Sequence, residues 1–229
     1  MVKGLLQLKH KALSIAFALA ILALAIPQSI DSVLWIFSGQ SRDQLAAANP
    51  PTAKASSAAI GWLEVAGNWL YDPPARIRAG IMRLRLAATP NAADYNQPEM
   101  LQNSISDLTA GLQQMPGNAL GWASLADAQI IADNDLKARN ALRASMLFGN
   151  FDPDLSLWRS TLGIRLWSQL DTDDREMWSE QVRIAWDSQP NGLLAFARAA
   201  NGPTLILIRN ALSVRPVRLD DFDRALHQK

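Results

Sequence analysis

Cysteine is absent from the 229 residues. That excludes disulfides, thiolate zinc sites and a cysteine nucleophile, and says nothing of the redox compartment. Histidine is scarce, with two in the chain, His10 and His227. Neither a Ser-His-Asp arrangement nor a histidine metal site can be built from them. There is no Gly-rich phosphate loop. Charge of one sign is also lacking: the formal net charge is +1, so no global field argues for nucleic acid as a partner. Tyrosine is rare, two against eight tryptophans. Core packing is the plainer reading of the tryptophans, and aromatic ligand platforms are the other.

What the chain holds is a hydrophobic fraction of 49%, enough to support a buried core and to argue against wholesale disorder. Lys3, Lys9, His10 and Lys11 precede an uncharged run over 12–26. That run is short for a spanning helix of about 20 residues. Val33-Leu34-Trp35-Ile36-Phe37 continues its apolar character, and Trp35 suits a membrane interface. An uncleaved membrane anchor over 1–37 is therefore expected. Ala23-Leu24-Ala25 also fits a secretory cleavage site, which keeps a signal peptide as the alternative. Either way the basic flank stays in the cytoplasm and the rest is exported. In a bacterium this puts the bulk of the chain in the periplasm, and the expected anchor makes a single pass through the inner membrane. Residues 38–57, rich in Ala, Ser and Gln around Asn49-Pro50-Pro51, read as a linker.

Beyond the linker the apolar period is helical throughout. Thr52 is a candidate cap for a helix reaching residue 70, where Asp72-Pro73-Pro74 ends it. Ile77, Ile81, Leu84 and Ala88 share one face of a helix over 75–88, and Leu101, Ile105, Leu108 and Leu112 one face of a helix over 99–115. Residues 90–98 read as the loop between them. Trp122, Leu125, Ala126 and Gln129 follow i, i+3, i+4, i+7 and share a face of the next helix. Asp133-Asn134-Asp135 makes a turn, and one of the three is expected to cap the second helix through its side chain. Small residues at Ala126 and Ala138 permit close approach of the two helices. Gly149 and Asn150 suit a left-handed C-cap, and Pro153 cannot continue the helix.

Residues 154–169 carry Leu157, Trp158, Leu162 and Leu166 at helical spacing, and Asp171-Thr172-Asp173-Asp174 opens a further helix with Met177, Trp178, Val182 and Trp186. Two shorter helices are expected over 193–200 and 204–213, split by Asn201-Gly202-Pro203. Leu205-Ile206-Leu207-Ile208 has strand composition, but no partner strand is evident and a buried helix is expected. Residues 215–229 form a charged C-terminal tail with room for one last helix. The domain over 58–214 is thus all-α, about four helix pairs in which each pair needs its neighbours to bury its apolar face.

Among polar features, Arg76, Arg78, Arg83 and Arg85 stand out. Arg76 with Arg83, and Arg78 with Arg85, make two stripes flanking an apolar face. Arg139 and Arg143 form another. Guanidinium stems pack while their heads reach carboxylate or phosphate, so these six are the candidate partner-binding residues, with a solvated, locally paired helix flank as the alternative. Glu176 and Glu180 share a helix face, and two carboxylates can serve glycosidic chemistry. A solvated acidic helix start is the plainer reading. Asp133-Asn134-Asp135 is too short for a calcium loop. No enzyme and no cofactor are expected.

The motif Trp122-x2-Leu125-Ala126 with Ala138-x3-Leu142 and Pro153 resembles the tetratricopeptide-repeat family, whose unit spans about 34 residues. Gln129 stands where that pattern has Tyr, and Ala126 where it has Gly. The resemblance implies a short solenoid of helical hairpins with a concave groove used for protein–protein scaffolding. The layout, one N-terminal transmembrane helix and a short repeat domain, is similar to that of small accessory proteins of bacterial envelope machinery, including polysaccharide synthesis and export. A membrane or periplasmic protein is the partner expected, bound in a groove of mixed apolar and polar lining. An acidic polymer or lipid headgroup held by the arginine stripes is the alternative.

Overall fold

A computed structural model describes residues 60–61, 63–65, 73–88 and 96–228. The expected anchor over 1–37 and linker over 38–57 lie outside these residues, as does most of the helix expected from Thr52, of which 60–61 and 63–65 are helical. The chain divides into two compact units, 1–76 and 77–229. The second carries the features that follow.

All regular structure among the described residues is helical. The elements are α1 (Pro73–Ala87), α2 (Gln97–Gln114), α3 (Ala119–Ile131), α4 (Asp135–Phe148), α5 (Pro153–Arg165), α6 (Thr172–Ser188), α7 (Pro190–Ala199), α8 (Gly202–Leu212) and α9 (Pro216–His227). Among the described residues no helix is long and apolar enough to cross a membrane.

Local chemistry sets most of the helix starts. The side chains of Asn118, Asp152, Asp171 and Asn201 accept from the backbone N–H of Gly121, Asp154, Asp174 and Thr204, at 2.7, 3.0, 2.9 and 3.0 Å. Each satisfies one of the N–H groups that a helix start leaves without an internal partner. Proline occupies the first turn of α2, α5, α7, α8 and α9, where its missing N–H removes no helical bond. Pro98, expected in a loop, therefore sits inside α2.

The α3–α4 turn differs from expectation in two details. Asn134 is the N-cap of α4, yet its side chain makes no capping bond. The turn is closed by the backbone instead, Asn134 N–H donating to the Gln129 carbonyl at 2.9 Å. The left-handed residue is Asp133, at φ 55°. Gly149 caps α4 at φ −147°, outside the left-handed region, and the chain turns directly after it, the Asp152 N–H donating to the Gly149 carbonyl at 3.1 Å. The stretch Leu205-Ile206-Leu207-Ile208 lies within α8, with Ile208 buried and Ile206 exposed. That is the spread a helix imposes on four consecutive apolar residues.

The first six helices pair in chain order, and the crossing within each pair is made by small residues. Ser104 Oγ donates to the Gly80 carbonyl at 2.7 Å, and a Cβ at Gly80 would lie 2.6 Å from Leu108 Cγ. Ala126 and Ala138 are fully buried between α3 and α4. On α5 a Cβ at Gly163 would enter the indole of Trp178, whose Nε1 donates to the Ser160 carbonyl at 2.9 Å. The second helices share a buried spacing: Ser104, Leu108, Gly111; Ala138, Leu142, Ser145; Trp178, Val182, Ala185. At the C-terminal side α7 and α8 pack on α6, and α9 closes over α7 and α8. Phe222 of α9 is fully buried and meets Trp186 edge-on at 5.5 Å. Burying such a side chain contributes about 1.5–3 kcal/mol, so the charged 215–229 stretch carries an apolar anchor of the domain.

Candidate partner-binding groove

The first helices of three successive pairs line a common depression. Ile81, Leu84 and Arg85 come from α1 and Ala88 from the turn that follows it, Leu120, Ser124 and Asp127 from α3, and Trp158 from α5. The first set sits at i, i+3, i+4, i+7 and the second at i, i+4, i+7, so each lies on a single helix face. The groove holds about 260 Å³. Its walls are chiefly apolar, and Leu120 at its edge is 44% exposed, a large apolar side chain left facing solvent.

Polar side chains in the lining are Arg85, Ser124 and Asp127, and Asp127 is the carboxylate among them. Its carboxylate takes Arg165 Nη1 at 3.2 Å. Burial pushes its pKa up from the ordinary carboxylate value, while the Arg165 charge and a hydrogen bond from the Trp158 side chain pull it down. Arg165 is half exposed and gives one hydrogen bond, to Asp127.

The arginines read from the sequence go to different places. Arg85 lines the groove. Arg78 lies on the same helix and is partly buried, as is Arg76. Arg83 is turned against α2, where it pairs with Asp107 at 5% exposure. Burial there lowers its pKa. Arg139 and Arg143 meet the acidic start of α6: Arg139 pairs with Asp171 and Asp174, and Arg143 with Asp171 at 3.3 Å and Asp174 at 3.1 Å. Asp174 is 1% exposed, so these pairs tie α4 to α6. The hydrogen bond from the Asp174 N–H, and then the two guanidiniums, hold the Asp171 carboxyl below its ordinary pKa.

Glu176 is exposed on α6, and Glu180 is held by Arg183 at 2.6 Å. Among the described residues no group of His, Asp and Glu is arranged to hold a metal ion.

Trp122, the aromatic residue of the central motif, lies outside the groove and donates through Nε1 to the Pro116 carbonyl at 2.6 Å. In the next pair Leu162-Gly163 matches Leu125-Ala126, and the position equivalent to Trp122 is Arg159. That arginine is fully buried. Its Nε donates to Ser145 Oγ at 2.9 Å, Nη2 to the Ser145 carbonyl at 2.7 Å, and Nη1 to the Gly149 carbonyl at 2.6 Å and Gln181 Oε1 at 3.0 Å. Burial lowers its pKa to about 10 against the opposing charge of Asp152. Trp158 is thereby left free of the motif position and faces the groove.

Sequence reasoning missed Leu120, Asp127, Trp158 and Arg165. Leu120, Ser124 and Asp127 do fall on one helix face, but nothing local distinguishes that face from a solvated one until α1 and α5 are set beside it. The chain gives no match to a known protein family, to a curated protein or to a solved structure.

Proposed function

We propose that this protein is a scaffold or assembly factor of a bacterial envelope machine, one of polysaccharide synthesis or export being the form its layout suggests. The apolar N-terminal segment holds it in the inner membrane, and its tetratricopeptide-like helical domain faces the periplasm. It binds a partner protein in the groove of α1, α3 and α5. The observation that carries this reading is the groove itself: apolar walls from three successive first helices, an exposed Leu120 at the edge and an Asp127–Arg165 pair. Interfaces are built this way, with an apolar centre and a polar rim. The alternative, an anionic glycan or lipid held on arginine stripes, is weakened because Arg83, Arg139 and Arg143 are met by carboxylates of the same chain.

The test is a mild-detergent pull-down of the tagged full-length protein from its native membrane. Wild type is compared with Ala88→Trp, which fills the groove from an exposed position, and with Leu120→Asp. A near-stoichiometric membrane or periplasmic chain recovered with wild type and lost with both variants is the expected result. A partner retained by both variants would remove the groove from the account.

A further inference from the structure

The groove holds about 260 Å³, at the lower edge of the roughly 300–1,000 Å³ usual for small-molecule sites. It is large enough for one bulky side chain, since a cavity of about 150 Å³ takes a benzene ring. Ile81, Leu84, Leu120 and Trp158 form the apolar surroundings that such a side chain requires.

Charge then selects the neighbours of that side chain. Asp127 is already answered by Arg165 and by the Trp158 side chain, so the groove has little to offer an incoming cation. Arg165 is the reverse case. A guanidinium carries five N–H donors in a fixed fork, and Arg165 spends one on Asp127 while half exposed. The remaining donors suit a carboxylate arriving beside the apolar anchor.

From this we infer that the groove recognises a short acidic–apolar segment of a partner polypeptide: one aromatic or branched aliphatic side chain seated between α1, α3 and α5, with an adjacent Asp or Glu on Arg165. The inference rests on the groove reading given above and adds the chemistry of the occupant.

An array of heptapeptides, with every residue type at each of the three central positions, probed with the full-length protein in mild detergent, tests it. Retained peptides should be enriched in Phe, Trp, Leu or Ile beside Asp or Glu, and exchanging the acid for Lys should weaken binding at least about tenfold, as like-charge placement does. Two variants should move the preference in opposite directions, which loss of folding cannot imitate. Arg165→Gln should erase the acid preference and keep the apolar one, whereas Asp127→Asn, which releases Arg165 and removes a repelling charge, should strengthen binding of acidic peptides. Retention of basic peptides, retention without acid enrichment, or no retention at all overturns the inference. Partner loss with Ala88→Trp, together with an array showing no acid preference, would leave the groove reading standing and remove this one alone.

Discussion

The buried guanidinium of Arg159 closes the C-terminal end of α4 by donating to the Ser145 carbonyl at 2.7 Å and to the Ser145 hydroxyl at 2.9 Å. That hydroxyl in turn donates to the Ala119 carbonyl at 2.7 Å. Gln181, which accepts from Arg159, donates through Nε2 to the Asn150 carbonyl at 2.9 Å. The start of α3, the end of α4, α5 and α6 are joined through one side chain.

Arg159→Met is expected to lower unfolding stability by about 2–4 kcal/mol. Relief of desolvation offsets part of the loss, but Ser145 Oγ, Gln181 Oε1 and the Ser145 and Gly149 carbonyls each lose a donor, and a buried acceptor left unsatisfied costs about 1–3 kcal/mol. Arg159→Lys should recover little, because an ammonium cannot serve acceptors in a planar fork. A folded-state pKa of about 10 leaves the group charged at neutral pH, so the loss should be constant between about pH 5 and 8. Urea unfolding of the three proteins at several pH values checks both points.

Gly163→Ala should destabilise by about 1–3 kcal/mol, the usual effect of overpacking. A Cβ there enters the Trp178 indole, itself 1% exposed and packed edge-on against Trp167 at 5.1 Å. In a double-mutant cycle Trp178→Leu should make the alanine much less damaging. Additive losses would show that the contact is not the cause.

The pairs that Asp171 makes with Arg139 and Arg143 should fail on acidification. Asp171 has its folded-state pKa held below the ordinary 3.8, so its contribution is fully present above that value and fades as pH falls through the lower folded one. Asp171→Asn should flatten the fall in urea midpoint below about pH 4 without abolishing folding. Asp127 works with the opposite sign. Its raised pKa means that protonation on acidification favours the fold, and Asp127→Asn should be neutral or mildly stabilising at neutral pH.

Ala88→Trp and Leu120→Asp sit at exposed positions. Their thermal midpoints should correspond to changes within about 0.5 kcal/mol. Circular dichroism melts alongside the pull-down would separate loss of the groove from loss of the fold.

Much of the helical domain is legible along the chain because it depends on chemistry within one helical turn. Asn118, Asp152, Asp171 and Asn201 cap helices, prolines mark first turns, and the spacing of Leu108, Leu112, Leu125 and Leu142 picks out faces that are buried. Where local reading went astray, at Gly149 and Asn134, several residues compete for one turn and backbone bonds decide among them.

The sequence by itself determined that residues 73–88 and 96–227 would be helix after helix, and roughly where each begins, since capping, proline and period act on near neighbours. Tertiary structure alone decided what the polar side chains are for. Arg139 and Arg143 look like an open basic stripe until α6 brings Asp171 and Asp174 against them. Arg159 looks like surface charge until four segments enclose it. Leu120, Asp127 and Trp158 become one groove when α1, α3 and α5 lie side by side. Each depends on which helix faces meet across tens of residues, a choice made by the summed packing of Leu108, Ala126, Gly163 and Trp178 and by no single stretch of chain.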